Sequence, residues 1–326
     1  MSSSSPQKSY LHGNVEFFFC RFPLDKIIDN SVTDFELFAE VDSHVILYSG
    51  QGYRWVREEL AGLIGHGYTH LWIRPEDRTK AAIYEKMATL PQIATNLRPE
   101  ERLSQIQDVG LVFTRYLFEG DITESAVQKG RELSQHIVSC VKEDPGCVRA
   151  LSGLADHDQY TYLHSVRVAA YSTAIAHEMG ISDDESLKQI ALGSIFHDVG
   201  KSSVSMDIIN KRGPLLEHEW LAMRSHPTEG LKKLGDTQLS HVCREIVVHH
   251  HERLNGSGYP HGINKDSLLT EVQIASVADI FDALTSSRSY QNKRSRYEAL
   301  DFIKHKLLGT EVSSDAFKAL VSCLVK

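Results

Sequence analysis

The chain has 326 residues, 41% of them hydrophobic, which suits about two domains, each able to bury a core. Its formal charge of -8 excludes the basic footprint that general nucleic-acid binding requires, although metal ions and a few local cations can reverse the field around an anionic substrate. No apolar run approaches the roughly 20 residues that cross a bilayer. Five scattered cysteines (Cys20, Cys140, Cys147, Cys243 and Cys323) have no C-x-x-C spacing, which predicts buried thiols in a reducing, cytoplasmic compartment rather than a disulfide frame or a thiolate zinc site.

In chain order, Met1 to Ser9 is polar and Ser-rich and reads as a disordered tail. Apolar runs rich in β-branched and aromatic residues predict strands at Val15–Phe19, Phe35–Val41, Val45–Tyr48 and His70–Ile73. Gly50-Gln51-Gly52 reads as a hairpin turn and not as a phosphate loop, since no G-K-[ST] follows. Helices are predicted over Trp55–Gly65, where Leu60, Leu63 and Ile64 form a stripe, and after Pro75. From Pro99 to Val141 the period is helical, and Asp144-Pro145-Gly146 marks a boundary. The expected organisation is a mixed α/β regulatory-type domain over 1–95, a helical connector over 96–145 and an all-α bundle over 146–326.

Within the bundle, helices are predicted at Asp158–Met179, Asp183–Asp198, Glu217–Ser225, Pro227–Leu234, Leu239–His251, Glu271–Ser286, Tyr297–Leu308 and Asp315–Leu324. Ser182-Asp183-Asp184-Glu185 is a capping box for the second of these, and Gly180 and Gly200 read as C-terminal stops.

Of the 17 histidines, eleven lie between His157 and His261. A lone His164 or His226 is ordinarily a core or capping residue, and a His-Asp pair at a helix end is a common surface feature. The order is more telling: His164 beside an apolar face, His197-Asp198 closing a helix, His226-Pro227 opening another, His249-His250-His251-Glu252 ending a third, and Asp279 inside an apolar helix. An unpartnered carboxylate at that last place would be expensive. Helices can aim such ends and faces into one cavity, and imidazoles with carboxylates suit iron, manganese or zinc. Asp198, with two oxygens, is the natural bridge between two cations. Neighbouring positions on a helix diverge by about 100°, so three consecutive histidines do not all reach one site.

This ordered series resembles the HD-GYP family, the HD-domain phosphohydrolases associated with bacterial cyclic-di-GMP signalling. The matching stretches are Thr161-Tyr162-Leu163-His164-Ser165-Val166-Arg167-Val168, His197-Asp198-Val199-Gly200-Lys201 and Ser225-His226-Pro227-Thr228-Glu229-Gly230. His250-His251-Glu252 with Gly256-Ser257-Gly258-Tyr259-Pro260, Val277-Ala278-Asp279-Ile280-Phe281-Asp282 and Arg288 complete the series over residues 146–310. The resemblance implies an HD-type helical bundle holding two divalent cations, iron or manganese in preference to zinc. By similarity their ligands are His164, His197, Asp198, His226, His250, His251 and Asp279, with Asp198 bridging and His249 spare. It further implies hydrolysis of cyclic-di-GMP to pGpG or GMP, with Lys201 assisting at the phosphate, Arg288 gripping it, and Tyr259 touching substrate or a protein partner. The N-terminal domain is a second place for a partner.

Three departures bear on this. Tyr160 stands where some members carry a glutamate for a third metal, so a binuclear site is expected. Asn255 replaces the usual aspartate, and Ser289 and Gln291 replace a proline and a basic residue. These changes keep two alternatives open: a signalling module that binds metals and a ligand with little turnover, and a phosphohydrolase of another nucleotide ester.

Overall fold

The computed structural model describes residues 7–12, 15–93, 96–151, 160–211, 213–286 and 294–325. The chain divides into two units, Met1–Gln92 and Ile93–Lys326.

In the first unit, five strands form one sheet in the order β1-β2-β7-β4-β5: β1 (Gln7–His12), β2 (Val15–Pro23), β7 (His70–Ile73), β4 (Leu37–Val41) and β5 (His44–Ser49). Among the described residues its strands pair antiparallel. The period-two pattern sets the two faces. Cys20, Phe22, Leu37, Ala39, Leu71 and Ile73 point into a core with Phe35, Trp55 and Tyr84, whereas Phe19, Phe38 and Trp72 form a small cluster of their own. Helices α1 (Arg57–Gly65) and α2 (Arg78–Met87) contribute Leu63, Ala81 and Tyr84 to the main core.

Two expectations fail here. Residues 7–9 are not a tail: they enter β1, whose register pairs Gln7 with Cys20. Gly50-Gln51-Gly52 does turn the chain, with Gly52 at φ +81°, but the strands it joins do not pair with each other. The following strand β6 (Tyr53–Arg54) pairs with β3 (Val32–Thr33) in a separate ribbon, because Gly52 and Trp55 donate to Thr33 and Ser31 carbonyls.

The second unit is helical. Its first helices, α3 (Pro99–Glu119) and α4 (Glu124–Glu143), pack against α5 (Tyr160–Glu178), and α4 also packs against α6 (Asp184–Phe196). Residues 163–176 of α5 are buried on every face, the mark of a central helix. Around it follow α7 (Met206–Ile209), α8 (Glu217–Arg224), α9 (His226–Leu234), α10 (His241–His249), α11 (Thr270–Thr285), α12 (Arg296–Lys306) and α13 (Ser314–Val325). The residue capping α6 is Asp183 rather than Ser182: its carboxylate accepts the Ser186 N–H at 2.8 Å. The short α7 has no counterpart among the expected helices.

Gly180 ends α5 at φ +93°, as a helix stop should. Gly200 is a glycine for another reason. A Cβ there would stand 1.9 Å from the His226 carbonyl oxygen and 2.3 Å from the Gly230 nitrogen, so only hydrogen allows the turn after α6 to touch α9. Gly200→Ala therefore has to move backbone and should destabilise the helical unit by on the order of 3 kcal/mol, read by urea unfolding followed by circular dichroism. An unchanged midpoint would contradict this close approach.

Candidate metal centre

Helix α5 carries His164, the turn after α6 carries His197 and Asp198, and the start of α9 carries His226. The end of α10 carries His250 and His251, and α11 carries Asp279. All but His251 are at most 6% exposed. The structure brings these seven together as two sets of donors, each within 4.8 Å: His164, His197 and Asp279 in one, and Asp198, His226, His250 and His251 in the other.

Asp198 stands between the two. Its Oδ2 lies 3.6 Å from His164 Nε2 and 3.4 Å from His197 Nε2, while its Oδ1 lies 3.3 Å from His226 Nε2 and 3.8 Å from His250 Nε2. Asp279 spans the same gap, with Oδ1 3.1 Å from His164 Nε2 and Oδ2 3.7 Å from His251 Nδ1. Lys201, in the 3-10 turn Val199–Ser203, reaches Asp198 Oδ2 at 2.5 Å.

Hydrogen bonding fixes which ring nitrogens face inward. His197 Nδ1 contacts the Ser194 carbonyl at 2.6 Å, His226 Nδ1 the Met223 carbonyl at 2.7 Å, and His250 Nδ1 the Val247 carbonyl at 3.0 Å. A carbonyl only accepts, so each Nδ1 carries a proton and each ring turns its Nε2 inward. Each bond runs back three residues, so the helix backbone itself selects the tautomer.

His164 is held differently. Its Nδ1 lies 2.7 Å from Asp282 Oδ2, and Arg167 grips the same carboxylate through Nε at 2.6 Å and Nη2 at 3.1 Å. Arg167 and Asp282 both stand in the motif, but the sequence alone assigns neither a role. The available signal was spacing: Arg167 follows His164 by three and Asp282 follows Asp279 by three, one helical turn in each case.

The protonation pattern suits cation binding. Burial pushes the Asp198 carboxyl up, but His197 and Lys201 outweigh it and hold it well below the usual range. Asp279 is likewise held far down against its burial, by the His164 hydrogen bond and by His251. Burial also raises Asp282, yet Arg167 and His164 bring it to about 2. Burial lowers His226 to about 4 and takes His250 and His251 well below their ordinary value, so all three are neutral at pH 7. His197 goes the other way: burial lowers it, and the neighbouring Asp198 charge more than compensates. In addition, His197 Nε2 and Asp198 Oδ1 are buried without a hydrogen-bond partner, as expected of atoms whose partner is a cation. Five imidazoles and two carboxylates with no thiolate form a donor set that could hold divalent transition metals.

His249, the third member of the triple run, faces elsewhere, towards Glu245 and His261. Tyr259 lies against the cluster. Its ring stacks on His251, with centroids 4.7 Å apart and planes at 29°, and Arg224 sits 5.6 Å above it. Gly258 allows this loop to close: a Cβ there would come within 2.4 Å of the Glu252 Cα. Asn255 is exposed, and its side-chain oxygen accepts the Ser257 N–H and O–H, a turn that aspartate would make equally well. Arg288, Ser289 and Gln291 lie outside the described residues, as do the side chain of Tyr160 and its surroundings.

Residues 151–307 match the HD domain family. The chain is 34% identical over 170 residues to a cyclic di-GMP phosphodiesterase of Pseudomonas aeruginosa, covering 52% of this chain and 41% of that one. It is 29% identical over 277 residues to the 3'3'-cGAMP-specific phosphodiesterase 3 of Vibrio cholerae, covering 77% of this chain and 59% of that one. The chain thus spans about two-fifths to three-fifths of these relatives. A solved HDG"Y"P protein from Bdellovibrio bacteriovorus shares the fold, with a TM-score of 0.63 at 19% identity over 94% of this chain and 99% of that one. The helical segment 151–307 thus matches the HD domain, and the ordered motifs of this segment resemble those of the HD-GYP group.

The Arg167–Asp282–His164 relay yields a prediction. Asp282→Asn keeps the shape but removes the charge that orients His164, and should weaken metal affinity about 10- to 100-fold in chelator competition. It also removes the carboxylate from a guanidinium that is 4% exposed, so stability should fall, and adding Arg167→Met should recover part of that loss. Unchanged affinity in Asp282→Asn would contradict the relay.

Proposed function

We propose that this HD-GYP chain is a binuclear metal-dependent phosphodiesterase that opens a 3'3'-linked cyclic dinucleotide, cyclic-di-GMP first among them, to its linear form and onward to mononucleotide. The observation that carries the reading is the division of Asp198: each of its oxygens faces a different group of histidine nitrogens, as a carboxylate shared by two cations requires. Relatives from Pseudomonas aeruginosa, Xanthomonas campestris and Thermotoga maritima bear the name cyclic di-GMP phosphodiesterase, which supports the substrate class.

In this reading His164, His197 and Asp279 hold one cation, and His226, His250 and His251 the other, with Asp198 between them. Iron or manganese suits these donors, and zinc is accommodated. Two such cations, when bound, acidify an attacking water and draw charge from the phosphoryl group. Lys201 places its ammonium beside Asp198, where it neutralises a phosphate oxygen or protonates the departing 3' oxygen as the P–O bond breaks. Burial raises the Tyr259 phenol above its ordinary value, so the hydroxyl stays protonated and serves as a donor at the edge of the site. Arg224 brings a cation to the same edge, and Arg288 adds another by family resemblance.

One alternative substrate has a specific observation in its favour. The relative named 3'3'-cGAMP-specific phosphodiesterase 3 aligns over 77% of this chain. Protein loaded anaerobically with Fe(II) or Mn(II) and supplied with cyclic-di-GMP and 3'3'-cGAMP separately should yield linear product from the first at the higher kcat/KM. The reverse order would make the hybrid dinucleotide the substrate, and metal-loaded protein that turns over neither would overturn the enzymatic reading. Lys201→Met should lower kcat about 100-fold with metal content unchanged.

A further inference from the structure

We infer that the chain carries a third divalent-cation site, outside the His/Asp cluster, formed by His249, Glu252 and His261. Donor atoms of these three residues lie within 4.8 Å of one another. His249 Nε2 and His261 Nδ1 are 3.0 Å apart. That separation is close to the roughly 3.3 Å expected between two nitrogens bound at about 2.0–2.1 Å around a tetrahedral zinc ion.

Two independent features make this more than a meeting of surface histidines. The first is Glu252, which is 2% exposed. One of its carboxylate oxygens accepts the backbone N–H groups of His261 and Gly262, at 2.7 and 3.0 Å. The other oxygen is buried with no hydrogen-bond partner. A buried carboxylate oxygen without a donor is costly, and a cation held with the two imidazoles relieves it. The second is Glu245, whose Oε2 lies 3.0 Å from His249 Nδ1. This fixes the proton on Nδ1 and turns the Nε2 lone pair towards His261, the carboxylate–histidine arrangement typical of metal ligands. A simple hydrogen bond between the two rings accounts for their contact but leaves the Glu252 oxygen unsatisfied.

Two imidazoles and a carboxylate leave a fourth position, open to water on the exposed His261 side. Zinc fits this set, and cobalt or nickel would follow by ligand type. The site fastens the end of α10 to the exit of the loop 253–262. That loop carries Tyr259 onto the His251 ring, so a cation here holds the Tyr259 side chain over the central cluster without touching the cluster itself.

The test is zinc stoichiometry by native mass spectrometry on the full chain. Wild type, His249→Gln and His261→Gln are each stripped with chelator and re-equilibrated with Zn(II). Each variant should hold one ion fewer than wild type. In an Asp198→Asn background that weakens the central cluster, one ion should remain, and His261→Gln should remove it. Because His261 is exposed, its variant should keep the wild-type circular dichroism spectrum, which separates loss of a ligand from loss of the fold. Amide exchange over 253–262 should slow with zinc in wild type and not in His261→Gln. Equal zinc content in wild type and both variants would overturn the site, as would zinc-independent exchange in the loop.

Discussion

Everything in the helical unit turns on one buried carboxylate that cannot stand alone. Asp198 is 1% exposed, a position where an ionised oxygen without compensation costs several kcal/mol. Four imidazoles and Lys201 surround it at 2.5–3.8 Å. Two of those imidazoles, His226 and His250, are held neutral with the proton on Nδ1 by carbonyls three residues earlier, so they offer Asp198 lone pairs instead of protons. Lone pairs facing a carboxylate repel it. The arrangement becomes favourable only with positive charge in the gaps, so these buried donors form a cluster that could bind metal.

The scaffold serves that requirement. Helix α5 is buried all round and fixes His164, while the approach at Gly200 draws the His197-Asp198 turn onto the start of α9, bringing His226 across from it. Arg167 and Asp282 then orient His164 from behind, in a site where a single rotated ring would spoil the donor set. On the proposed function the negative chain needs no basic surface to meet an anionic substrate, because cations held at this centre would add their charge to that of Lys201 and Arg224.

Much of this was legible in the sequence, though unevenly. The seven residues of the cluster were readable because their types are restricted by ligand chemistry and their order follows the helices. Helix positions in the bundle were readable from the 3.6-residue period. Properties that depend on contacts distant in the chain were not. Gly200 reads as a helix stop, and only the Cβ clash with His226 reveals it as a packing glycine. Gly50–Gly52 reads as a hairpin because turn chemistry is local, whereas the pairing of β6 with β3 is not. Arg167 and Asp282 were visible as letters, yet their joint role depends on two helices meeting 115 residues apart. His249 faces away from the cluster, and its partner His261 lies across a loop that no period describes. Asn255, which in sequence looks like a lost charge, is an exposed turn residue whose amide oxygen accepts the Ser257 N–H and O–H.

The central claim is that Asp198 joins two cations. Electron paramagnetic resonance of the chain reconstituted with Mn(II) under anaerobic conditions tests it most directly. Two ions sharing a carboxylate should give an exchange-coupled multiline spectrum that collapses to isolated Mn(II) signals in Asp198→Asn. A wild-type spectrum containing only isolated Mn(II), at full loading, would contradict the claim.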